Sequence, residues 1–156
     1  MTAFVVRPIA STITAAVRTT RLAPEYGHPV HEELARGTGP CRECLRAFKV
    51  GVESRLLFTH NAFAGASSLA QPGPVFIHAH ACTPHSGNGY PVGLRALPIV
   101  AQSYVRDGSI DAPRALPHGD EDATLAAMFV DARIAFAHLR HAEAGCFVAR
   151  VERVTA

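Results

Sequence analysis

The clearest strand pattern in the chain is Val75-Phe76-Ile77-His78-Ala79-His80-Ala81-Cys82. Because successive side chains of a strand point to opposite faces, one face carries the apolar residues and the other carries His78, His80 and Cys82. His78 and Cys82 are four residues apart, where the strand runs into a loop containing proline. The chain can curl at this point, so we expect both side chains to reach one metal ion.

A second pattern of metal ligands lies upstream, in Gly39-Pro40-Cys41-Arg42-Glu43-Cys44. The Gly-Pro pair turns the chain tightly before the first thiol, and two thiolates in such a turn can each lie about 2.3 Å from one zinc ion. With the downstream pair they complete a set of four ligands. The sequence therefore predicts a structural zinc site made of Cys41, Cys44, His78 and Cys82, with His80 as an alternative to His78.

Local patterns predict the elements around these motifs. The predicted strands cover residues 3–9, 53–60, 98–106, 109–115, 134–140 and 146–154. A short helix is predicted over residues 30–36, and a polar connection between the first strand and Pro24. Residues 83–91, rich in glycine and proline, predict an irregular loop, and a further loop is expected through Gly65 and Pro72.

One helix is predicted in the C-terminal third. Gly119-Asp120-Glu121-Asp122 offers a capping residue and acidic side chains at a helix start, and Leu125, Met128 and Phe129 follow at helical spacing. The predicted fold class is α+β. We expect one domain over residues 1–156, with a mostly antiparallel sheet, one main C-terminal amphipathic helix and a zinc-knuckle-like Cys-x-x-Cys turn.

The amino-acid composition disfavours some classes of function. The chain of 156 residues is 48% hydrophobic and 18% charged, with a formal net charge of +2. Its arginines are dispersed and Lys49 is the only lysine, which disfavours nucleic-acid binding. No membrane-spanning run and no export signal are visible, so the sequence predicts a cytoplasmic protein with reduced thiols. The alternative for residues 1–24, which carry three arginines and no acid before Glu25, is a targeting segment.

Two enzymatic interpretations compete with structural zinc. His31-Glu32 followed by Pro40-Cys41-x-x-Cys44 matches the residue types of a nucleobase deaminase, but the separation is too short for the strand and helix that should intervene. Cys82 could instead be a nucleophile with His80 or His85 as its base.

Two further groups of candidate residues have explanations that require no function. Cys146 is predicted to be a core thiol because Phe147 and Val148 follow it on a strand. His138 and Arg140 fit a solvated polar face as well as a binding pocket.

Four segments together resemble a bacterial family known as domain of unknown function 1203. They are Gly39-Pro40-Cys41-Arg42-x-Cys44-Leu45-Arg46, Gly73-Pro74-Val75-Phe76-Ile77-His78, Cys82, and His138-Leu139-Arg140 with Gly145-Cys146-Phe147. The resemblance implies a bacterial, cytoplasmic, single-domain protein without an assigned activity. It also implies that Cys41, Cys44, His78 and Cys82 are the metal set, whereas the position of His80 often holds another residue.

These observations favour a zinc-stabilised domain that binds a small ligand or a protein partner, and they favour binding over catalysis. The alternative function is a metal-dependent or thiol enzyme, such as a hydrolase or a deaminase-like protein. The two differ in the metal site, because structural zinc has four protein ligands and catalytic zinc keeps one position for water.

Overall fold

The structure, a computed structural model, describes residues 3–63 and 70–154, and these residues form two antiparallel sheets. The strands are β1 (Phe4–Arg7), β2 (His31–Leu34), β3 (Ser54–Asn61), β4 (Pro72–His78), β5 (Ile99–Val105), β6 (Arg114–Ala115), β7 (Ile134–His141) and β8 (Phe147–Arg153). The larger sheet has the order β1-β8-β7-β5-β6, and the smaller has the order β2-β3-β4.

Two α-helices accompany the sheets in the described residues. Helix α1 (Ser11–Thr20) follows β1, and helix α2 (Glu121–Met128) lies between β6 and β7. A short 3-10 helix spans Val92–Leu94. None of the described helices is long and apolar enough to cross a membrane. The α+β class with predominant antiparallel sheet is therefore confirmed. A main helix in the C-terminal third is not confirmed, because α1 has ten residues and α2 has eight.

Most of the buried hydrophobic residues form two clusters, one for each sheet. The first packs α2 and the 3-10 helix against the five-stranded sheet, and the second packs α1 against the three-stranded sheet. Cys41 and Cys44 belong to the second cluster, whereas the next residue, Leu45, belongs to the first. The Cys-x-x-Cys turn thus lies where the two hydrophobic clusters meet.

Helix α1 replaces the polar connection expected after the first strand. Thr14 and Val17 are fully buried and lie three residues apart, on one face of the helix. The usual start and stop signals are absent: Ala10 at the N-cap makes no side-chain bond, and Arg21 ends the helix with a left-handed φ of 58° where glycine is customary. Packing stabilises a helix that local signals did not reveal.

The short helix predicted over residues 30–36 was wrong, because β2 occupies this segment. His31 pairs with Leu57 and Leu34 with Ser54 in an antiparallel register. A helix of so few residues is marginal by itself, and backbone pairing with β3 satisfies the same peptide groups more completely.

The strand predicted to run to Cys82 ends at His78 instead. The alternation that predicted a common face for His78, His80 and Cys82 therefore does not apply beyond His78. Val75 and Ile77 are buried as expected. Residues 79–82 are not in a strand, and this irregular path carries Cys82 to its position.

The other predicted strands are confirmed within one or two residues at their ends, except the strand predicted over residues 109–115, of which only Arg114–Ala115 is formed. Helix α2 and the irregular segment 83–91 are also confirmed. The loop expected through Gly65 lies partly outside the described residues, and Pro72 begins β4.

Gly93 generates a test of how the 3-10 helix packs on the Cys-x-x-Cys turn. A Cβ at this position would lie 2.6 Å from the Leu45 carbonyl oxygen and 2.8 Å from the Arg46 Cα. Because these are backbone atoms, Gly93→Ala should lower the free energy of unfolding by about 1–3 kcal/mol. Thermal or denaturant unfolding measures the loss.

Gly73→Ala is the matched control, since a Cβ there meets no described atom within 4 Å. This variant should stay within about 0.5 kcal/mol of the wild type. Equal effects of the two substitutions would show that the contact between Gly93 and the turn is not tight in solution.

Candidate metal centre

The four ligands predicted from the sequence meet in one cluster. One ligand atom from each of Cys41, Cys44, His78 and Cys82 lies within 4.8 Å of all the others. The Sγ atoms of Cys41 and Cys82 are 3.8 Å apart, and the Sγ of Cys44 is 3.6 Å from the Nδ1 of His78. Residues 41 positions apart in the chain are therefore brought together by folding.

The Cys-x-x-Cys turn is closed by its own backbone. The Leu45 amide donates to the Cys41 carbonyl at 3.0 Å, and the Cys41 amide donates to the Arg46 carbonyl at 2.9 Å. Leu45 has a φ of 55°, a left-handed conformation that disfavours a branched side chain, and its side chain is fully buried. Burial in the first hydrophobic cluster compensates for this strain and fixes the turn.

His78 stands between the thiols and a carboxylate. Its Nδ1 faces Cys44, while its Nε2 lies 3.1 Å from the Oε2 of Glu53. The other Glu53 oxygen accepts the Lys49 amide at 2.7 Å. A metal-ligating histidine commonly has its second ring nitrogen held by a carboxylate, which fixes the ring and its tautomer. Glu53 is placed for that role and had no signal in the sequence.

His80 occupies a different position from His78. Its ring centroid is 5.1 Å from that of His78, and its side chain is exposed. It joins Glu53 and His78 in a second group that could hold a cation, but it is not part of the group with the three cysteines.

Cys82 is surrounded by side chains from α1 and from the Cys-x-x-Cys turn. Its Sγ is 3.6 Å from the Nη2 of Arg18 and 3.3 Å from the Oε1 of Glu43. Arg18 also pairs with Glu43 at 2.8 Å, and Thr14 hydrogen-bonds to the other Glu43 oxygen. Helix α1 thus supplies a charged support for this ligand, one that the sequence analysis missed because it missed the helix.

The thiols and the imidazole alter each other's ionisation. Hydrogen bonds to Cys41 and Cys44 raise the pKa of His78 to about 10. A hydrogen bond with Cys41, together with burial, raises the pKa of Cys44 to about 11. Burial alone would raise the pKa of Glu43, but its hydrogen bonds with Thr14, Arg18 and Cys82 outweigh burial and lower it.

The measured separations fit a tetrahedral metal site. With metal–sulfur bonds of about 2.3 Å and metal–nitrogen bonds of about 2.0 Å, the edges of the tetrahedron are about 3.8 Å between sulfurs and about 3.5 Å between sulfur and nitrogen. The observed pairs are 3.8 Å and 3.6 Å apart. The cluster could therefore hold a metal ion with little rearrangement of these two pairs.

The groups invoked by the enzymatic interpretations are placed elsewhere. His31 and Glu32 lie exposed on β2 and belong to neither of the metal-capable groups found among the described residues. Among the described residues, neither His80 nor His85 hydrogen-bonds to Cys82. Cys146 is half-buried rather than a core thiol.

Comparison with known proteins identifies a family. The model of the family described as a protein of unknown function (DUF1203) matches residues 38–153, which is most of the chain. The chain belongs to the DUF1203 family. No curated protein and no solved structure matches it. All four clustered ligands of this DUF1203 chain lie within the matched residues, whereas α1 precedes them.

His138 of the DUF1203 chain does not lie on a solvated face. Its side chain is 0% exposed and contacts the rings of Phe63, Tyr104 and Phe147, each with a centroid separation of 4.9 Å. Neither ring nitrogen has a hydrogen-bond partner among the described residues. Burial, with a smaller effect from the positive charges of Arg140 and Arg150, lowers the pKa of His138 to about 3.

The burial of neutral His138 predicts that the folded protein loses stability as the pH falls. In the unfolded chain a histidine has a pKa of about 6.5, so as the pH falls the unfolded state binds a proton before the folded state does. The stability from neutral His138 is complete above about pH 6.5 and declines towards about pH 3, by at most about 1.4 kcal/mol per pH unit. His138→Phe should remove the part of the pH dependence of unfolding free energy that comes from His138.

Denaturant unfolding of wild type and variant at about pH 7 and about pH 5 measures the difference. His60, whose pKa is lowered to about 4 by burial, titrates in the same direction in both proteins and cancels in the comparison. An identical pH dependence would show that His138 is not held neutral in the folded state.

Proposed function

We propose that Cys41, Cys44, His78 and Cys82 bind one zinc ion that stabilises the fold of a ligand-binding domain. The observation that carries the proposal is the convergence of three sulfur atoms and one imidazole nitrogen within 4.8 Å of one another. Thiolate and imidazole ligands in a tetrahedral arrangement suit zinc, whereas calcium, magnesium and manganese prefer oxygen ligands.

A structural role is favoured over a catalytic one by the number and burial of the ligands. Four protein ligands fill a tetrahedral zinc site and leave no position for water or substrate. Cys41, Cys44 and His78 are buried, and only Cys82 is partly exposed. The metal–enzyme alternative requires one of the four to leave the ion, and Cys82 is the residue closest to solvent.

Groups around the ligands support the same proposal. The His78 amide is 3.4 Å from the Sγ of Cys41, and Arg18 approaches the Sγ of Cys82. Three sulfur ligands would leave thiolate charge in excess over one zinc ion, and the His78 amide compensates for part of it, whereas the charge of Arg18 is shared with Glu43. Because metal-binding thiols must stay reduced, the proposal also assigns the protein to a reducing compartment such as the cytoplasm.

Elemental analysis with two histidine variants tests the zinc site. Protein purified without chelator or a metal-affinity tag should contain about one zinc per chain. His78→Ala should lose the metal, because it removes a ligand and leaves three thiolates without full charge compensation, and His80→Ala should keep it. If the lost stability is about 3 kcal/mol, the Tm of His78→Ala should fall by about 6–12 °C.

The same experiment carries its own controls. Chelation should lower the Tm of the wild type and of His80→Ala but not that of metal-free His78→Ala. X-ray absorption at the metal edge should show three sulfurs and one nitrogen, and a bound water in place of one sulfur would favour the enzymatic alternative. Wild-type protein without metal, or zinc retained by His78→Ala and lost by His80→Ala, would refute the ligand set.

Glu53→Gln tests the support of the histidine ligand. The substitution keeps the length of the side chain but removes the charge that faces the His78 Nε2, so zinc affinity should fall by about 10- to 100-fold. Competition with a chromophoric chelator measures the affinity. Glu33→Gln is a matched control, because the two side chains are 20% and 18% exposed and Glu33 pairs with arginines instead of His78. Equal losses in both variants would contradict the assigned role.

A further inference from the structure

Two adjoining cavities open between the smaller sheet and the turn that joins β7 to β8. Their volumes are about 250 Å³ and about 220 Å³, and they share Pro74, Ala144 and Cys146 as lining residues. The charged or titratable side chains that line them are Arg36, Arg42, Arg55, Arg140, His60, His141 and Cys146. No carboxylate is among the described lining residues. We call the combined space the arginine cleft.

Arg42 lies in the wall of the arginine cleft as a buried cation whose acidic neighbours are the thiols of Cys41 and Cys146 and not a carboxylate. It is 2% exposed, and its guanidinium donates to two backbone carbonyls, those of Phe147 at 2.8 Å and Pro40 at 2.6 Å. Within residues 3–63 and 70–154 no carboxylate forms an ion pair with it. A buried charge without a counterion is costly, so this position favours an anion.

Arg55 is a second buried guanidinium beside the first. It is 5% exposed, stacks on the Phe76 ring at 3.6 Å, and is 3.8 Å from the nearest Glu33 oxygen, at the long limit of an ion pair. Its Nε has no partner among the described residues. The Nη1 atoms of Arg42 and Arg55 lie 3.7 Å and 4.0 Å from where a Gly39 Cβ would stand. Both guanidinium groups therefore converge on Gly39, the residue without a side chain.

Arg140 lines the neighbouring part of the cleft. It hydrogen-bonds to the Gly145 carbonyl at 2.7 Å and to the Gln71 side chain, and its buried Nε has no described partner. Residues 64–69, next to Gln71 in the chain, contain no Asp or Glu. No side-chain carboxylate from that segment can neutralise Arg140.

Thr38 adds a neutral donor at the cleft. The His141 Nδ1 accepts the Glu143 and Ala144 amides, each at 3.3 Å, so its Nε2 carries the proton and donates to the Thr38 hydroxyl at 3.0 Å. The hydroxyl is thereby an acceptor for His141, and its own hydrogen can be donated to a ligand.

We propose that the arginine cleft binds a small anion bearing a carboxylate or phosphate group. Guanidinium groups match the geometry of both oxyanions, and burial of Arg42 and Arg55 strengthens their charge-assisted hydrogen bonds. The cavity volumes suit a small metabolite rather than a macromolecule. The inference rests on the ligand-binding role proposed above and names its ligand class; it does not require the metal.

Titration of the full-length protein tests the cleft. Inorganic phosphate and succinate are the two probes, each compared with chloride at matched ionic strength by calorimetry and by the arginine Nε–H signals in NMR. Arg55→Gln and Arg140→Gln should each weaken probe binding by about tenfold or more, because each removes a charge-assisted hydrogen bond. The half-exposed Arg140 provides the readout if Arg55→Gln fails to fold.

Arg150→Gln is the matched control for Arg55. Arg150 also stacks on an aromatic ring, that of Phe136 at 3.8 Å, but pairs with Glu152 at 2.9 Å and lines neither cavity of the cleft. It should change probe affinity by less than about twofold. Binding of phosphate alone or of succinate alone supports the cleft and identifies the oxyanion.

Two results would overturn the inference: neither probe binding better than chloride, or equal weakening by Arg150→Gln. Zinc content, measured in every variant, keeps the outcome separate from that of the metal proposal. The cleft variants should retain the metal content of the wild type.

Discussion

The burial of Leu45 in a left-handed conformation holds the structure together at the point where its two hydrophobic clusters meet. Its side chain packs with the five-stranded sheet, while Cys41 and Cys44 just before it pack with α1 and the smaller sheet. A branched residue in this conformation costs about 1 kcal/mol relative to glycine, but glycine would forfeit the buried side chain, which is worth about 1.5–3 kcal/mol. The gain from burial therefore outweighs the backbone strain at this turn.

The four side chains that precede Leu45 lie in three different surroundings. Cys41 and Cys44 face His78 and Cys82, Arg42 lies in the wall of the arginine cleft, and Glu43 pairs with Arg18. The Arg42 backbone is fixed as well, since its amide donates to the Phe76 carbonyl at 3.0 Å and its carbonyl accepts the Ile9 amide at 3.0 Å. One short segment thus contributes side chains to both the candidate metal centre and the cleft.

How much of the fold could be predicted from the sequence depended on whether local signals agreed with packing. Strands such as β3 and β7 have apolar runs bounded by turn residues, and α2 begins with acidic residues that complement the helix dipole. The signals failed for α1 and β2. In α1 the buried face includes Thr14, a residue that composition alone assigns to the surface.

The candidate site also has a part that the sequence predicted and a part that it did not. The cluster of Cys41, Cys44, His78 and Cys82 was predictable because thiols and imidazoles are rare and their spacing limits how they can meet. The supporting residues were not, since glutamates such as Glu43 and Glu53 are common and nothing local distinguishes a ligand's partner from a surface acid. The arginine cleft was hidden for a related reason: Arg42 and Arg55 become notable only once the fold buries both, Arg42 without a carboxylate partner and Arg55 with Glu33 no nearer than 3.8 Å.

The residues around the candidate metal centre fall partly inside and partly outside the family match. The ligands and Glu53 lie within residues 38–153, whereas Thr14 and Arg18 come from α1, which precedes the match. Helix α1 adds a cation beside Cys82, since Arg18 lies 3.6 Å from its Sγ, but that cation is paired with Glu43, whose carboxylate lies 3.3 Å from the same sulfur. Glu43 and Thr14 hold that guanidinium in place. The matched segment therefore contains all four residues of the cluster, while α1 contributes half of an ion pair that packs beside Cys82, the partly exposed member.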